Sequence, residues 1–393
     1  MPRLFVLAFA TLVTCAPGIG AQRADVSADP GERKPIFRLS VALVQLDAVV
    51  TDRRGRHVTT LGKDDFEIFQ DGRSQPITAV AYIDAAADWH DTSGLPALPP
   101  EAVRSTDARR IIGIVVDDLR MSFESIFYAR RGLGQFADRQ FVPGDRVMLV
   151  TTSTGYRYAP VLTASAITFK AAANRLRYSM WGMTGASALD PIDGMSEIFD
   201  ASENFRERTF AVSAIERIEN VIDALKPLPG RKSVVLVSEG FAIGGVGIDS
   251  NYIRDAIQAL VDRANRAGVV IYAIDPRGLV VTGLTAADAG GFNAARLATI
   301  SSIRANALRE SQDGLRYLAG ETGGFAVINS NDLALGMRRI MTDQQGYYLI
   351  GYQPEAGTVG THDRPKFKHV KIKVKQRGLK IRTRSGFYNI ASE

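Results

Sequence analysis

The sequence predicts an α/β protein built on a mostly parallel sheet, with a smaller β region made from strands at both ends of the chain. Three observations lead there. β-branched apolar runs recur through the middle of the chain and each stops at polar residues, as in RRIIGIVVDDLRMS at 109–122. Stretches with helical spacing separate these runs, whereas strict alternation of period two is confined to the flanks. Parallel strands covered on both faces read as continuous apolar runs, and half-buried antiparallel strands read as alternation.

Taken in order, Arg3, the apolar stretch Leu4 to Val13 and the small residues up to Ala21 read as a secretory signal peptide over 1–21. An apolar core of roughly ten residues is short of the ~20 that a membrane span needs. Cleavage there would remove Cys15, the only cysteine, and with it any thiol chemistry or disulfide, unless Cys15 is lipidated. Residues 36–84 form the N-terminal half of the β region, with turns at Gly55 and at Asp71-Gly72. Pro96, Pro99 and Pro100 mark a linker over 85–107.

The α/β region spans 108–345. Its first strand, Ile111 to Val116, is followed by a helix lined by Ile126, Ala129, Leu133 and Phe136, in which Gly132 and Gly134 each cost about 1 kcal/mol relative to alanine. Pro143-Gly144-Asp145 turns into a second strand over 146–152. A helix at 164–178, a loop at Trp181 to Gly185 and a helical stripe of Ile215, Ile218, Val221, Ile222 and Leu225 lead to the strand Ser233 to Ser238. Ile253, Ile257 and Leu260 mark the next helix and Val269 to Ile274 the next strand. Leu279 to Ala298 reads as a surface insertion, Leu308 to Leu318 as helix, Phe325 to Ile328 as a last central strand, and Leu333 to Met341 as a last helix. Residues 346–390 return to β, with Val370, Ile372 and Val374 alternating with lysines and, after a turn at Gln376 to Gly378, Leu379 and Ile381 opposing Lys380, Arg382 and Arg384. That pattern predicts a hairpin with one basic face, whose lysines discourage edge-to-edge pairing or meet an anionic envelope ligand.

A hydrophobic fraction of 46% over 393 residues excludes a disordered chain and supports a sizeable core. The net charge of +6 is concentrated: ten Lys or Arg fall between Thr361 and Glu393, against Asp363 and Glu393. In an exported chain this argues for anionic surfaces and against nucleic acid. No nucleophile elbow, phosphate loop or His-Glu-x-x-His helix is present, and His57, His90, His362 and His369 are scattered. What stands at the predicted carboxyl ends of the strands is oxygen: Asp117, Asp118 and Ser122, Thr184 in a later loop, and Glu239 after Ser238. Such a set suits magnesium or manganese, although Asp118 or Ser122 also suits a helix N-cap.

IIGIVVDD, MTGASAL, VVLVSEGF, VVIYAIDPRGL, LAGETGGFAVI and YYLIGYQP, in that order, resemble the von Willebrand factor type A domain as found in exported proteins of the acidobacterial type. DRRGRHVTTLGKDDFEIFQDGRSQPI and FKHVKIKVKQRGLKIRTRSGFY resemble the flanking β segments of that group. The resemblance implies a doubly wound α/β fold and a metal-ion-dependent adhesion site of the form Asp-x-Ser-x-Ser, with a threonine and an aspartate from later loops. Anchoring that motif on Asp117 puts Leu119 and Met121 where serines belong; anchoring on Asp118 gives Arg120 and Ser122, with Thr184 and Glu239 in the later positions.

The site is therefore a degenerate one, and Arg120 is expected to pair with Asp117 or Glu239 and occupy the cation's space. Cation binding is expected to be weak or absent, and contacts to an unknown protein or envelope partner to come from Arg120, Met121, Trp181 and Met183. The function expected is an exported binding or adhesion module, periplasmic or extracellular, without turnover. A metal-dependent hydrolase using Asp117 and Asp118, or a structural envelope scaffold, are the alternatives.

Overall fold

A computed structural model describes residues 44–84, 110–153, 161–179, 197–228, 230–243, 248–283, 294–354 and 367–388, all within one compact unit that spans Ala42–Glu393. The signal segment, the linker and the Trp181–Thr184 loop lie outside the described residues. No helix among the described residues is long and apolar enough to cross a membrane.

The strands are β1 (Val44–Thr51), β2 (Phe66–Gln70), β3 (Arg73–Gln75), β4 (Ile77–Asp84), β5 (Arg110–Val116), β6 (Asp145–Thr151), β7 (Lys232–Val237), β8 (Val269–Ile274), β9 (Ala326–Val327), β10 (Gly346–Tyr352), β11 (Phe367–Val374), β12 (Lys380–Thr383) and β13 (Gly386–Tyr388). The helices are α1 (Phe123–Arg139), α2 (Ala166–Asn174), α3 (Glu197–Leu225), α4 (Ile248–Ala267), α5 (Ala294–Glu321) and α6 (Leu333–Asp343).

Strands β5 to β9 form a parallel sheet in the order β6-β5-β7-β8-β9. All seven residues of β5 are buried, and their side chains divide by parity. Ile111 and Val115 join the core under α3, α4 and α5, while Ile112, Ile114 and Val116 join the core under α1, α2 and α6. Covering both faces explains the unbroken apolar runs. Because β6 and β7 lie on opposite sides of β5, the strand order reverses at β5, the position at which open α/β sheets place their ligands beyond the carboxyl ends of the strands.

α1 begins at Ser122, whose Oγ accepts from the Ser125 amide at 3.2 Å, and buries Ile126, Ala129, Leu133 and Phe136. Burying each of the larger side chains contributes about 1.5–3 kcal/mol. Gly132 is needed for close approach: a Cβ there would lie 2.3 Å from Leu333 of α6. The packing of α1 on α6 thus offsets the glycine's low helix propensity.

The flanking strands pair with each other across the chain in two four-stranded sheets, β12-β1-β10-β4 and β13-β11-β2-β3. Leu46, Val50, Ile68, Ile350, Val370 and Ile372 share one core between them. Four expectations are corrected here. β11 and β12 are not a hairpin: Val370 pairs with Gln70 on β2 whereas Ile381 pairs with Val50 on β1, so the chain crosses from one sheet to the other. Alternation fixes which side of a strand faces the core but not its partner; pairing with β1 and β2 covers edges that a free hairpin would leave open. The face of β12 is not a solvated basic one either, because Arg382 donates to the buried Asp343 and Arg384 to the backbone oxygens of Gln45 and Asn265. Finally, the strand expected over Phe325 to Ile328 is two residues long and at the sheet edge, and α5 already begins at Ala294, inside the expected insertion.

Candidate functional site

The sheet's hydrogen-bond ladder runs one residue beyond four neighbouring strands. Thr152 N donates to Val116 O, Asp117 N to Val237 O, Ser238 N to Ile274 O and Asp275 N to Val327 O, at 2.9–3.1 Å. The first residue after each of β6, β5, β7 and β8 is thereby held level with its neighbours, giving a row of oxygen-bearing side chains: Thr152, Asp117, Ser238 and Asp275. All four are buried. Backbone pairing, rather than loop structure, positions this crest.

Asp117 is fully buried and sits at the middle of the row. Thr152 Oγ1 lies 3.1 Å from its Oδ1, and Ser238 Oγ donates to its Oδ2 at 2.7 Å. The Arg120 Nε lies 3.8 Å from the same Oδ2. Burial pushes the Asp117 carboxyl up to about 6, against the lowering effect of Arg120 and of the Ser238 and Thr152 hydrogen bonds, while the adjacent Asp118 adds to the rise. Asp118 accepts from Thr152 Oγ1 at 2.9 Å and from the Ser153 amide at 2.8 Å, and takes a short hydrogen bond from the Ser153 hydroxyl. Thr152 has one hydroxyl proton for two carboxylates, so the two acids compete for it.

Arg120 reaches across to the β7 loop. Its guanidinium donates to Gly240 O at 2.9 and 3.2 Å and lies 5.4 Å from the Phe241 ring centre. Gly240 adopts φ +94, and a Cβ there would meet Ser311 O at 2.1 Å, so only glycine allows this carbonyl to face Arg120. Glu239 Oε1 accepts from the Ser122 amide at 2.7 Å, binding the β7 loop to the start of α1. Beside them, Asp275 accepts from Arg277 Nε at 2.9 Å, from its terminal nitrogen at 2.8 Å and from Gln312 at 3.0 Å.

Asp117, Asp118, Arg120, Ser122 and Glu239 are thus brought together; Thr184, Trp181 and Met183 lie outside the described residues. Met121 is corrected: at 1% exposure it packs in the core under α1 and is not available as a surface contact. Beside Arg120 it was expected at the loop surface, but the chain is already turning into α1 there. Thr152, Ser153 and Asp275 were not singled out from the sequence, although each follows a β-branched run as Asp117 does. Among the described residues, no group of three or more His, Cys, Asp or Glu is placed to hold a metal.

No family model matches the chain, and no curated protein does. Among solved structures, it is similar to an aerotolerance-related membrane protein from Bacteroides fragilis NCTC 9343 carrying multiple mutations to serines, at 12% identity over 59% of this chain and 98% of that one, with a TM-score of 0.30. It is also similar to the conserved hypothetical protein BatB from Bacteroides thetaiotaomicron, at 12% identity over 60% and 98%, with a TM-score of 0.28. At such scores the architecture rests on the strand order and helix placement described above.

Proposed function

We propose that this chain is an exported binding module of the von Willebrand factor type A kind, which captures a protein or anionic envelope partner on the loops that surround the crest, without turnover. The observation that carries this reading is the placement of Arg120 against Asp117. In this reading the guanidinium takes the role of the cation, and magnesium or manganese does not fit the set as arranged. Both Asp117 oxygens and both Asp118 oxygens already accept hydrogen bonds, Ser122 Oγ caps α1, and Glu239 holds the Ser122 amide. A small cation requiring near-octahedral oxygen geometry would have to displace these bonds and the arginine together. The partner is met by Trp181, Met183 and the outer edge of Arg120.

A second reading, an acid–base enzyme or hydrolase, is favoured by one observation: a buried carboxyl titrating at about 6 beside a second carboxylate is a feature of catalytic sites. Affinity capture from envelope extract, with and without chelator, distinguishes the two. The binding module retains its partner in chelator and loses it on Trp181→Ala. Hydrolysis of a captured substrate that disappears with Asp117→Ala and Asp118→Ala would replace it with the enzyme reading. Calorimetry giving tight, one-to-one magnesium binding that Asp117→Ala abolishes would overturn the cation-free crest.

A further inference from the structure

The opposite end of the parallel sheet carries a second polar site. Where β1 and β12 meet the loops before β7 and β8 there is a small, partly open crevice lined by Asp47, Asn265, Arg231, Arg382, Thr383 and Arg384 among others. Of nine buried side-chain polar atoms without a hydrogen-bond partner among the described residues, four belong to this lining: the Nε of Arg231, Arg382 and Arg384, and the Thr383 hydroxyl. Arg231 is only 7% exposed. All four can donate, and a buried donor left unmade costs about 1–3 kcal/mol, so their concentration in one place points to an acceptor shared among them.

The charges agree. Arg231 makes a long 3.4 Å bond to Gly346 O and lies over the Tyr347 ring, and Arg384 is held by the backbone oxygens of Gln45 and Asn265. Neither donates a hydrogen bond to a carboxylate, although Asp47 lies within electrostatic reach of Arg384. Arg382 is paired with Asp343, whose other oxygen accepts from Tyr272, and Lys232 lies within electrostatic reach of Asp47. Five cations, Arg231, Lys232, Arg339, Arg382 and Arg384, thus outnumber the carboxylates Asp47 and Asp343. Guanidinium groups are the side chains best matched to oxyanions, through planar forks of N–H donors.

We propose that this crevice binds a small dianionic oxyanion of the phosphate type, held by Arg231, Arg384 and Thr383, between the flanking strands and the α/β sheet. Its charge complements this excess of cations, and its tetrahedral oxygens can accept donors converging from β12 and from the loop before β7. Bound there, it would tie β12 to the α/β sheet. The site is independent of the crest and of the function proposed for it.

Calorimetry of the full chain with inorganic phosphate, against sodium chloride at equal ionic strength, tests this. One-to-one phosphate binding is expected, with no corresponding heat for chloride and at least tenfold weaker binding to acetate. Arg384→Gln should weaken phosphate at least tenfold, and Asp47→Asn, which removes the facing carboxylate, should tighten it several-fold. Absence of phosphate binding, or acetate binding as tight as phosphate, overturns the proposal. If Arg384→Gln fails to fold, as judged by circular dichroism, Asp47→Asn decides: an affinity equal to that of the parent chain refutes the site.

Discussion

Replacing Asp117 by asparagine should change how stability depends on pH, and the buried row of polar residues fixes both sign and size. The Asp117 carboxyl titrates at about 6 in the folded protein against an ordinary 3.8. A carboxyl raised on folding binds its proton more tightly in the native state, so its contribution is fully present below the unfolded value and is lost as pH rises through about 6. At 1.36 kcal/mol for each tenfold change in proton affinity, the loss is about 3 kcal/mol. Asparagine keeps the shape of the side chain, exchanges one acceptor oxygen for an amide donor at a cost that does not vary with pH, and cannot ionise. Carboxyls that do not touch Asp117 titrate alike in both proteins and cancel in the difference. The stability of Asp117→Asn relative to the parent should therefore shift in favour of the variant by about 3 kcal/mol between roughly pH 4 and pH 7. Urea unfolding followed by circular dichroism at intervals across that range measures it. A difference that stays flat would show that Arg120 and the two hydroxyls outweigh desolvation, and that Asp117 ionises as an ordinary carboxyl.

Two further sets of substitutions test the framework, one at the amino ends of β5 and β6 and one in the β7 loop beside the crest. Arg110 and Asp145 form a two-bond buried pair at 2.8 and 2.7 Å, so Arg110→Met or Asp145→Leu alone should cost roughly 3–5 kcal/mol while the double change should cost clearly less than their sum; additive losses in denaturant titrations would contradict the pairing. Gly240→Ala should lower stability by at least about 2 kcal/mol, because φ is +94 and the new Cβ would lie 2.1 Å from Ser311 O, and an unchanged melting temperature would mean that the β7 loop relaxes freely.

The parallel sheet was legible because burial on both faces leaves an unmistakable mark: β5, β7 and β8 appear as runs in which scarcely a polar atom intrudes. Alternation on the flanks was equally plain, yet it misled about β11 and β12, since an inward-facing Ile381 looks the same whichever strand lies beside it. Arg382 and Arg384 occupy the polar phase of that alternation and read as solvent-facing; a second layer packed on that side was invisible from within the segment. At the crest, Asp117, Asp118 and Glu239 were found because acids after apolar runs are conspicuous. Thr152 was passed over because a threonine extends a β-branched run instead of interrupting it, and its role depends on register with Asp117 across the sheet. Met121 failed for a local reason: the N-cap at Ser122 starts α1 one residue later, and the turn points the methionine inward.

The pairing of β4 with β10, in which Asp84 stands opposite Gly346, brings the start and end of the whole α/β section to one spot. The bond from the Leu61 amide to the Tyr348 hydroxyl spans 287 residues of chain. Contacts so distant in sequence are slow to form, because the loop must close before they stabilise anything. During synthesis β1 to β4 emerge long before the partners that cover them, with their strand edges unprotected. The α/β section can complete its own sheet meanwhile, and in doing so it shortens the effective loop that β10 must close. The flanking sheets thus form a late-closing clasp, and refolding of the purified chain should show the parallel sheet acquiring hydrogen-exchange protection before β1 and β2 do.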